Sequence, residues 1–275
     1  MTFREAIAAG EKRLEQAGIV DAKTDSWLLL TTACKIDHTY YYMHMDEDMT
    51  DEQTHEFVSL VDKRCERIPL QYITGEQEFM GINFYVNSNV LIPRQDTETL
   101  VEEALKRVRP GMKVLDMCTG SGCILISILK NVVDVEGYGY DISKQALIVA
   151  KENAKRNEVS AVFERSNLFE AVEGTFDVIV SNPPYIRTED ILTLMPEVAQ
   201  FEPIEALDGK EDGLYFYRKM VKDAKEHLAP SGVMLFEIGY DQGKDVSDMM
   251  RYAGYQNVKV IQDLAHKDRV VAGEL

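Results

Sequence analysis

The chain is 275 residues long, 45% hydrophobic and 28% charged, with a formal net charge of −17 at pH 7. That length allows one large domain or two of ordinary size with a real apolar core, and no run approaches the ~18 apolar residues of a membrane span. Residues 1–95 hold 9 Lys/Arg against 16 Asp/Glu, a balance of −7 that leaves −10 for the other 180 residues, so neither part offers the positive field that tracks phosphates.

In chain order, residues 1–75 read as a small helical bundle. Thr2-Phe3-Arg4-Glu5 is a capping-box pattern, followed by Phe3, Ile7, Leu14 and Ala17 near helical spacing. A second helix is predicted from Thr24 to Lys35 through Trp27, Leu28 and Leu30. Thr50-Asp51-Glu52-Gln53 repeats the capping box ahead of the apolar stripe Phe57, Leu60, Val61 and Cys65. Such stripes are those of an ordinary bundle core, and nothing in their pattern names a partner. The charged, helix-periodic N-terminus does not read as a signal peptide.

Residues 76–95 read as a β-hairpin linker. Phe79, Ile82, Phe84 and Val86 alternate there among the turn formers Gly81, Asn83, Asn87 and Asn89. Residues 96–275 then alternate strand and helix. Strands are predicted at 113–117, 135–140, 160–164, 176–181, 232–238, 256–262 and 268–273, and helices at 96–108, 121–131, 143–156, 213–228 and 241–253. This alternation implies a parallel sheet covered on both faces. The last two strands lie too close in sequence for a crossover and are expected to pair antiparallel at one edge. Cys34, Cys65, Cys118 and Cys123 show neither a CxxC pair nor metal-ligand spacing, as in a reduced cytoplasmic protein, and no metal site is expected from the five histidines.

Two stretches carry chemistry. KVLDMCTGSGCILISILK is a strand, a small-residue loop and a helix, in which Gly120 and Gly122 let backbone amides approach a ligand closely. The loop lacks the Lys-Ser/Thr pair of a triphosphate site. Asp141 closes the next strand, where a carboxylate can accept both hydroxyls of a ribose. Asp116 ends its own strand, placed to meet a positive group or to order the loop. In FDVIVSNPPYIR, the β-branched Val178, Ile179 and Val180 form a buried strand that Pro183 and Pro184 must end. A proline disfavours the α region for its predecessor, so Asn182 is held extended at the strand's carboxyl end.

The order D-x-x-x-G-x-G, acidic strand end, N-L-F and N-P-P-Y resembles S-adenosylmethionine-dependent methyltransferases of the seven-stranded class, including those that modify adenine N6 and glutamine N5. R-x-P-L-Q-Y-I-T-G (67–75), L-I-P-R-Q-D-T-E-T-L-V (91–101), E-P-x-x-A-L-x-G (202–209), D-G-L-x-x-Y (212–217), F-E-I-G-x-x-Q (236–242) and D-R-V-V (268–271) are similar to the peptide chain release factor glutamine methyltransferases. The resemblance covers nearly the whole chain. It implies a seven-stranded α/β Rossmann-like domain behind a helical substrate-recognition domain. It also implies S-adenosylmethionine held by Asp116, Cys118, Thr119, Gly120, Ser121, Gly122, Asp141, Ile142, Asn167, Leu168 and Asn182. The reaction is then methylation of the glutamine in the Gly-Gly-Gln loop of class 1 release factors by Asn182, Pro183, Pro184 and Tyr185, with no nucleic acid or membrane as partner. An adenine-N6 nucleic-acid methyltransferase shares NPPY and is the alternative; a cofactor-binding regulator without catalysis is a third.

The sequence departs from the family pattern at three places. Cys118 replaces the first loop glycine and is expected to avoid positive φ. Asn167 replaces the usual aspartate and can still hydrogen-bond an adenine amino group through its carbonyl. Gln95-Asp96 replaces Pro-Glu, which keeps an acid but shortens it.

Overall fold

The computed structural model describes residues 1–275, which divide into two compact units, Met1–Glu76 with Met195–Phe201 and Gln77–Leu194 with Glu202–Leu275. The first unit is helical: α1 (Phe3–Gln16), α2 (Ala22–Cys34), α3 (His38–His44), α4 (Asp51–Cys65) and α5 (Leu70–Thr74), joined by a short helix from the middle of the chain. Thr2 and Thr50 form full capping boxes with Glu5 and Gln53, so the orphan amides of α1 and α4 are met as their sequences require. Phe3, Leu14, Leu29, Leu30, Phe57, Leu60 and Val61 make the core of the unit. The helix α3 was not legible, because HTYYYMH buries none of its residues and so shows no apolar stripe.

The strands β1 (Glu76–Phe79) and β2 (Ile82–Tyr85) form the expected hairpin around Met80 and Gly81, both at positive φ as a two-residue turn demands. It ends earlier than its alternating pattern suggests. Asn153 takes the place of a further strand partner, accepting from the Tyr85 amide (2.7 Å) and donating to its carbonyl (3.0 Å).

The remaining elements are α6 (Glu98–Leu105), β3 (Lys113–Met117), α7 (Cys123–Asn131), β4 (Glu136–Asp141), α8 (Lys144–Arg156), β5 (Val162–Arg165), β6 (Phe176–Ser181), α9 (Pro196–Phe201, the helix that joins the first unit), α10 (Tyr215–Asp223), β7 (Leu228–Glu237), α11 (Gly243–Tyr252), β8 (Gln256–Gln262) and β9 (Asp268–Glu274). The seven-stranded sheet runs β5-β4-β3-β6-β7-β9-β8, parallel except where β9 pairs antiparallel with β7 and β8. The closing pair is antiparallel as expected, with β8 alone forming the edge and β9 inserted beside β7.

Alternate residues of the central strands feed opposite layers. Val114, Val178 and Val180 pack with Leu100, Leu125 and Ile128, whereas Leu115 and Ile179 pack with Tyr217, Met220 and Met250. The chain order reverses between β3 and β6, and open α/β sheets bind ligands outside the carboxyl ends of the strands at such a switch point. Asp116 and Asn182 flank it.

Candidate active site

At the end of β3, Asp116 is fully buried. Its Oδ2 accepts the Thr119 hydroxyl (2.6 Å), and its Oδ1 has no hydrogen-bond partner. Burial pushes its pKa up to about 7 against the Thr119 hydrogen bond, with the nearby Asp141 charge adding to the rise. The carboxylate thus orders the loop with one oxygen and leaves the other for a positive group. Next to it, Cys118 adopts φ +63°, which overturns the expectation that a non-glycine here avoids positive φ. The left-handed conformation costs about 1–2 kcal/mol for an L-residue. Tertiary structure outweighs it: the Thr119 amide is bonded to the Tyr140 carbonyl (3.0 Å) and the Gly122 amide to the Thr119 carbonyl (2.8 Å). Gly120 and Gly122 follow at φ +55° and +80°, and Thr119 and Ser121 are buried.

The neighbouring strand ends complete this rim. Asp141, at the end of β4, accepts the Gly120 amide (2.9 Å) and the Ser143 amide (2.8 Å), and so couples β4 to the loop. Ile142 beside it is half exposed. After β5, Asn167 donates its Nδ2 to Glu170 (2.6 Å), which leaves its carbonyl oxygen free to accept, and Leu168 turns through φ +51° with its side chain buried.

NPPY closes the other side of the switch point. Ser181 ends β6 and bonds the Met117 carbonyl (2.6 Å), tying β6 to β3. Asn182 is half-buried and donates Nδ2 to the Thr97 hydroxyl (3.3 Å). Pro183 and Pro184 are buried, and the Tyr185 hydroxyl donates to Glu237 Oε1 (3.2 Å). The Tyr185 carbonyl accepts Gln242 Nε2 (3.1 Å). A Cβ at Gly213 would lie 2.4 Å from that carbonyl oxygen, and one at Gly209 would lie 2.7 Å from the Tyr185 Cα. Only glycine lets these segments pass so close. It also explains why α10 starts after Gly213 (φ +73°) instead of at it.

Residues 5–75 match the PrmC N-terminal domain and residues 94–199 the methyltransferase small domain. A release factor glutamine methyltransferase from Geobacter sulfurreducens is 39% identical over 275 residues, covering 100% of this chain and 97% of its own. The chain belongs to the release factor glutamine methyltransferases. Another member, from Thermodesulfovibrio yellowstonii, is 41% identical over 243 residues, covering 86% of this chain and 87% of its own. Among solved structures, a methyltransferase from Pyrococcus furiosus aligns at a TM-score of 0.53 with 20% identity, covering 70% of this chain and 89% of its own, which speaks to the fold alone. As a family member, this release factor glutamine methyltransferase uses S-adenosylmethionine as its methyl donor.

The buried, unpartnered Asp116 Oδ1 fits the cofactor's ammonium group, and this sets a pH test. Asp116 without cofactor holds its proton up to about pH 7, and a cation at Oδ1 lowers that value. Cofactor binding near neutral pH is therefore expected to release a fraction of a proton and to weaken as pH falls below about 7. Calorimetry in two buffers of different ionisation heat reads this directly; identical heats would remove Asp116 from the role. Asp141→Ala removes the partner of the Gly120 amide together with the carboxylate expected to accept the ribose hydroxyls. It is expected to weaken cofactor binding roughly ten- to a hundredfold, on the order of 1.5–3 kcal/mol. Unchanged calorimetric affinity in the folded variant would place the ribose elsewhere.

Thr97, Glu237, Gln242 and Arg269 lie within the motifs that carry the resemblance, but none of them is legible as a site residue from the sequence of this glutamine methyltransferase. Arg269, 6% exposed, bridges Asp96 (2.9 Å) and Asp263 (3.1 Å), so the shortened acid Asp96 still finds a cation. D-G-L and F-E-I-G-x-x-Q, through Gly213, Glu237 and Gln242, are thus the shell that clamps NPPY. None of these residue types signals that alone; only the convergence of Glu237 and Gln242 on Tyr185, and of Thr97 on Asn182, does.

Proposed function

We propose that this enzyme transfers the methyl group of S-adenosylmethionine to the side-chain amide nitrogen of the glutamine in the Gly-Gly-Gln loop of class 1 peptide chain release factors. The observation that carries the reading is the orientation of Asn182. Its Nδ2 is spent on Thr97, so its carbonyl oxygen is the end left to meet a ligand. A glutamine amide nitrogen is a poor nucleophile because its lone pair is delocalised, and its proton is too weakly acidic for a carboxylate to remove outright. Such a site needs acceptors and geometry more than a strong base.

Asn182 Oδ1 and the Pro183 carbonyl each accept one N–H of the target amide, which fixes the nitrogen and favours positive charge developing on it. Pro184 keeps the turn rigid, and Tyr185, tied back to Glu237, covers the flat amide and excludes water. When bound, the cofactor supplies an electrophilic methyl group on a sulfonium. Holding nitrogen and methyl group at near-attack distance can account for about 7–11 kcal/mol of the barrier. Residues 96–275 act as the catalytic domain, residues 76–95 as its hairpin linker and residues 1–75 as the substrate-recognition domain. The net charge of −17 suits a basic protein partner and not a nucleic acid. No helix is long and apolar enough to cross a membrane, and the reaction belongs in the cytoplasm with translation.

The test is incubation with labelled S-adenosylmethionine and either a release factor or DNA, followed by mass spectrometry of the product. Label on the glutamine amide nitrogen of Gly-Gly-Gln is the expected result. Label in DNA alone would replace this reading with the adenine-N6 alternative.

A further inference from the structure

We propose that Asn153 is a positioning residue that holds the cofactor loop in its binding shape and ties that shape to the β1–β2 hairpin. The inference rests on the assignment of the loop around Gly120 and Gly122 to S-adenosylmethionine.

Asn153 lies on the buried face of α8 with Ala146, Val149, Ala150 and Ala154, and is itself 0% exposed. A carboxamide in such a place is costly unless its donors and its acceptor find partners. Here both ends are used. Oδ1 accepts the Tyr85 amide (2.7 Å), while Nδ2 donates to the Tyr85 carbonyl (3.0 Å) and to the Ser121 carbonyl (2.9 Å). Reversing the group would set its NH₂ against the Tyr85 N–H and its oxygen against two carbonyls, so its polarity is fixed.

Closing the hairpin needs only the two bonds to Tyr85. The third bond reaches the middle of the cofactor loop, where Ser121 is followed by Gly122 at φ +80°. A glycine's own sterics choose no single conformation, so the peptide between these residues is set from outside. Its carbonyl is held by Asn153 and its N–H by the Thr119 carbonyl (2.8 Å). A Cβ at Gly122 would lie 3.2 Å from the Cβ of Ala150, and the positive φ already disfavours one, so a stiffer residue is a poor substitute. A loop held in its bound geometry before the ligand arrives avoids the cost of ordering at binding. Because the same side chain holds Tyr85, order in the loop and order at the end of β2 support each other. The coupling is reciprocal: cofactor binding tightens the end of β2, and loss of the contact weakens cofactor binding. Asn157 supplies a control on the same helix. Its Nδ2 donates to the Asn83 carbonyl of β2 (3.4 Å) and to the Asn153 carbonyl (3.0 Å), with no bond to the loop.

The experiment compares Asn153→Asp, Asn153→Ala, Asn157→Ala and Asp141→Ala in the full chain. Calorimetric affinity for S-adenosylmethionine, steady-state kinetics on a release factor and thermal unfolding are measured for each. Asn153→Asp is nearly isosteric; it keeps an acceptor for the Tyr85 amide but turns its other oxygen on two carbonyls. Both Asn153 variants are expected to weaken cofactor binding roughly 10- to 100-fold. The KM for cofactor should rise in step, while kcat at saturating cofactor and the KM for the release factor stay near wild type. A merely structural residue would not produce that split. Asn157→Ala, which loses a hairpin contact alone, is expected to bind cofactor normally. In the unaltered enzyme, added S-adenosylmethionine is expected to slow amide exchange at Tyr85 more than in the edge strand β8. That measurement decides the outcome if the Asn153 variants do not fold. Wild-type affinity in folded Asn153→Ala beside a weakened Asp141→Ala would overturn the inference and leave the loop assignment standing. Wild-type affinity in both would overturn the loop assignment and the inference with it. Equal loss in Asn157→Ala, or equal slowing at Tyr85 and in β8, would also overturn the inference.

Discussion

Replacement of Asn182 by alanine is expected to abolish most methyl transfer while cofactor affinity stays near wild type. The cofactor contacts assigned to Asp116, Asp141 and the loop lie on other strands, so binding and turnover separate at this position. Asn182→Asp is the more informative change because it is almost isosteric. A carboxylate still accepts an N–H. It also places a negative charge beside a cationic methyl donor, which favours the ground state, since transfer neutralises that cation. In addition it has no NH₂ group for the Thr97 oxygen, so the contact that orients residue 182 is lost. The expected fall in rate is at least ~10²-fold for Asn182→Asp, the scale of losing one preorganised polar group, and larger for Asn182→Ala, where no acceptor remains. Single-turnover kinetics at saturating cofactor, with a whole release factor as substrate, measures this. Near wild-type rates in Asn182→Ala would leave NPPY as a strand terminator and nothing more.

The parts of the fold that announced themselves in the sequence are those with a strong local cause. Capping boxes at Thr2 and Thr50, β-branched runs such as Val178-Ile179-Val180 and the double proline after Asn182 each constrain the backbone within a few residues. Tertiary causes left no such mark. Cys118 sits at φ +63° because Tyr140 and Gly122 hold its neighbour, and the residue type alone argues the opposite. Asn153 ends a hairpin that its own residues would have continued, from 68 positions away. The site divides the same way. Its ligand-facing residues could be picked out because a glycine loop, a strand-end acid and NPPY are contiguous. The residues that orient them, Thr97, Glu237 and Gln242, are scattered over the chain and ordinary in type.

A second large effect is expected in the helical unit, from a residue far down the sequence from its partner. Arg64, 7% exposed on α4, donates to Asp25 on α2 (2.7 Å), to Glu197 on α9 (3.0 Å) and to the Ile68 carbonyl (3.2 Å). Glu197 also takes Arg67 (2.8 Å). Asp25 and Glu197 are themselves 5% and 7% exposed, so Asp25 leans on this arginine for its charge and Glu197 shares it with Arg67. Burial raises the pKa of Asp25 against the pull of Arg64. Burial opposes the ionised form of Glu197 too, but its own backbone amide, Arg64 and Arg67 hold its pKa below the ordinary value. Arg64→Met keeps the length of the side chain and removes the charge. Breaking a buried pair from one side costs about 3–5 kcal/mol, because the remaining charges stay in a poorly solvating interior. The deficit should depend on pH in a definite direction. Glu197, with its lowered folded pKa, stabilises the wild-type unit above its unfolded pKa and loses that contribution as pH falls through the folded one. In the variant Asp25 loses its arginine and favours the neutral form, whereas Glu197 keeps Arg67 and its backbone amide. Acidification then protonates Asp25 and narrows the gap to wild type, so the difference is largest at neutral pH. Trp27, the only tryptophan, lies on α2 two residues from Asp25 and stacks on His38 at 4.3 Å. Its fluorescence reports the helical unit while the methyltransferase unit stays silent. Urea unfolding followed at Trp27 should shift sharply to lower denaturant in Arg64→Met at pH 7 and less so at acidic pH. An unchanged midpoint at neutral pH would mean that the arginine and its two acids hold nothing together.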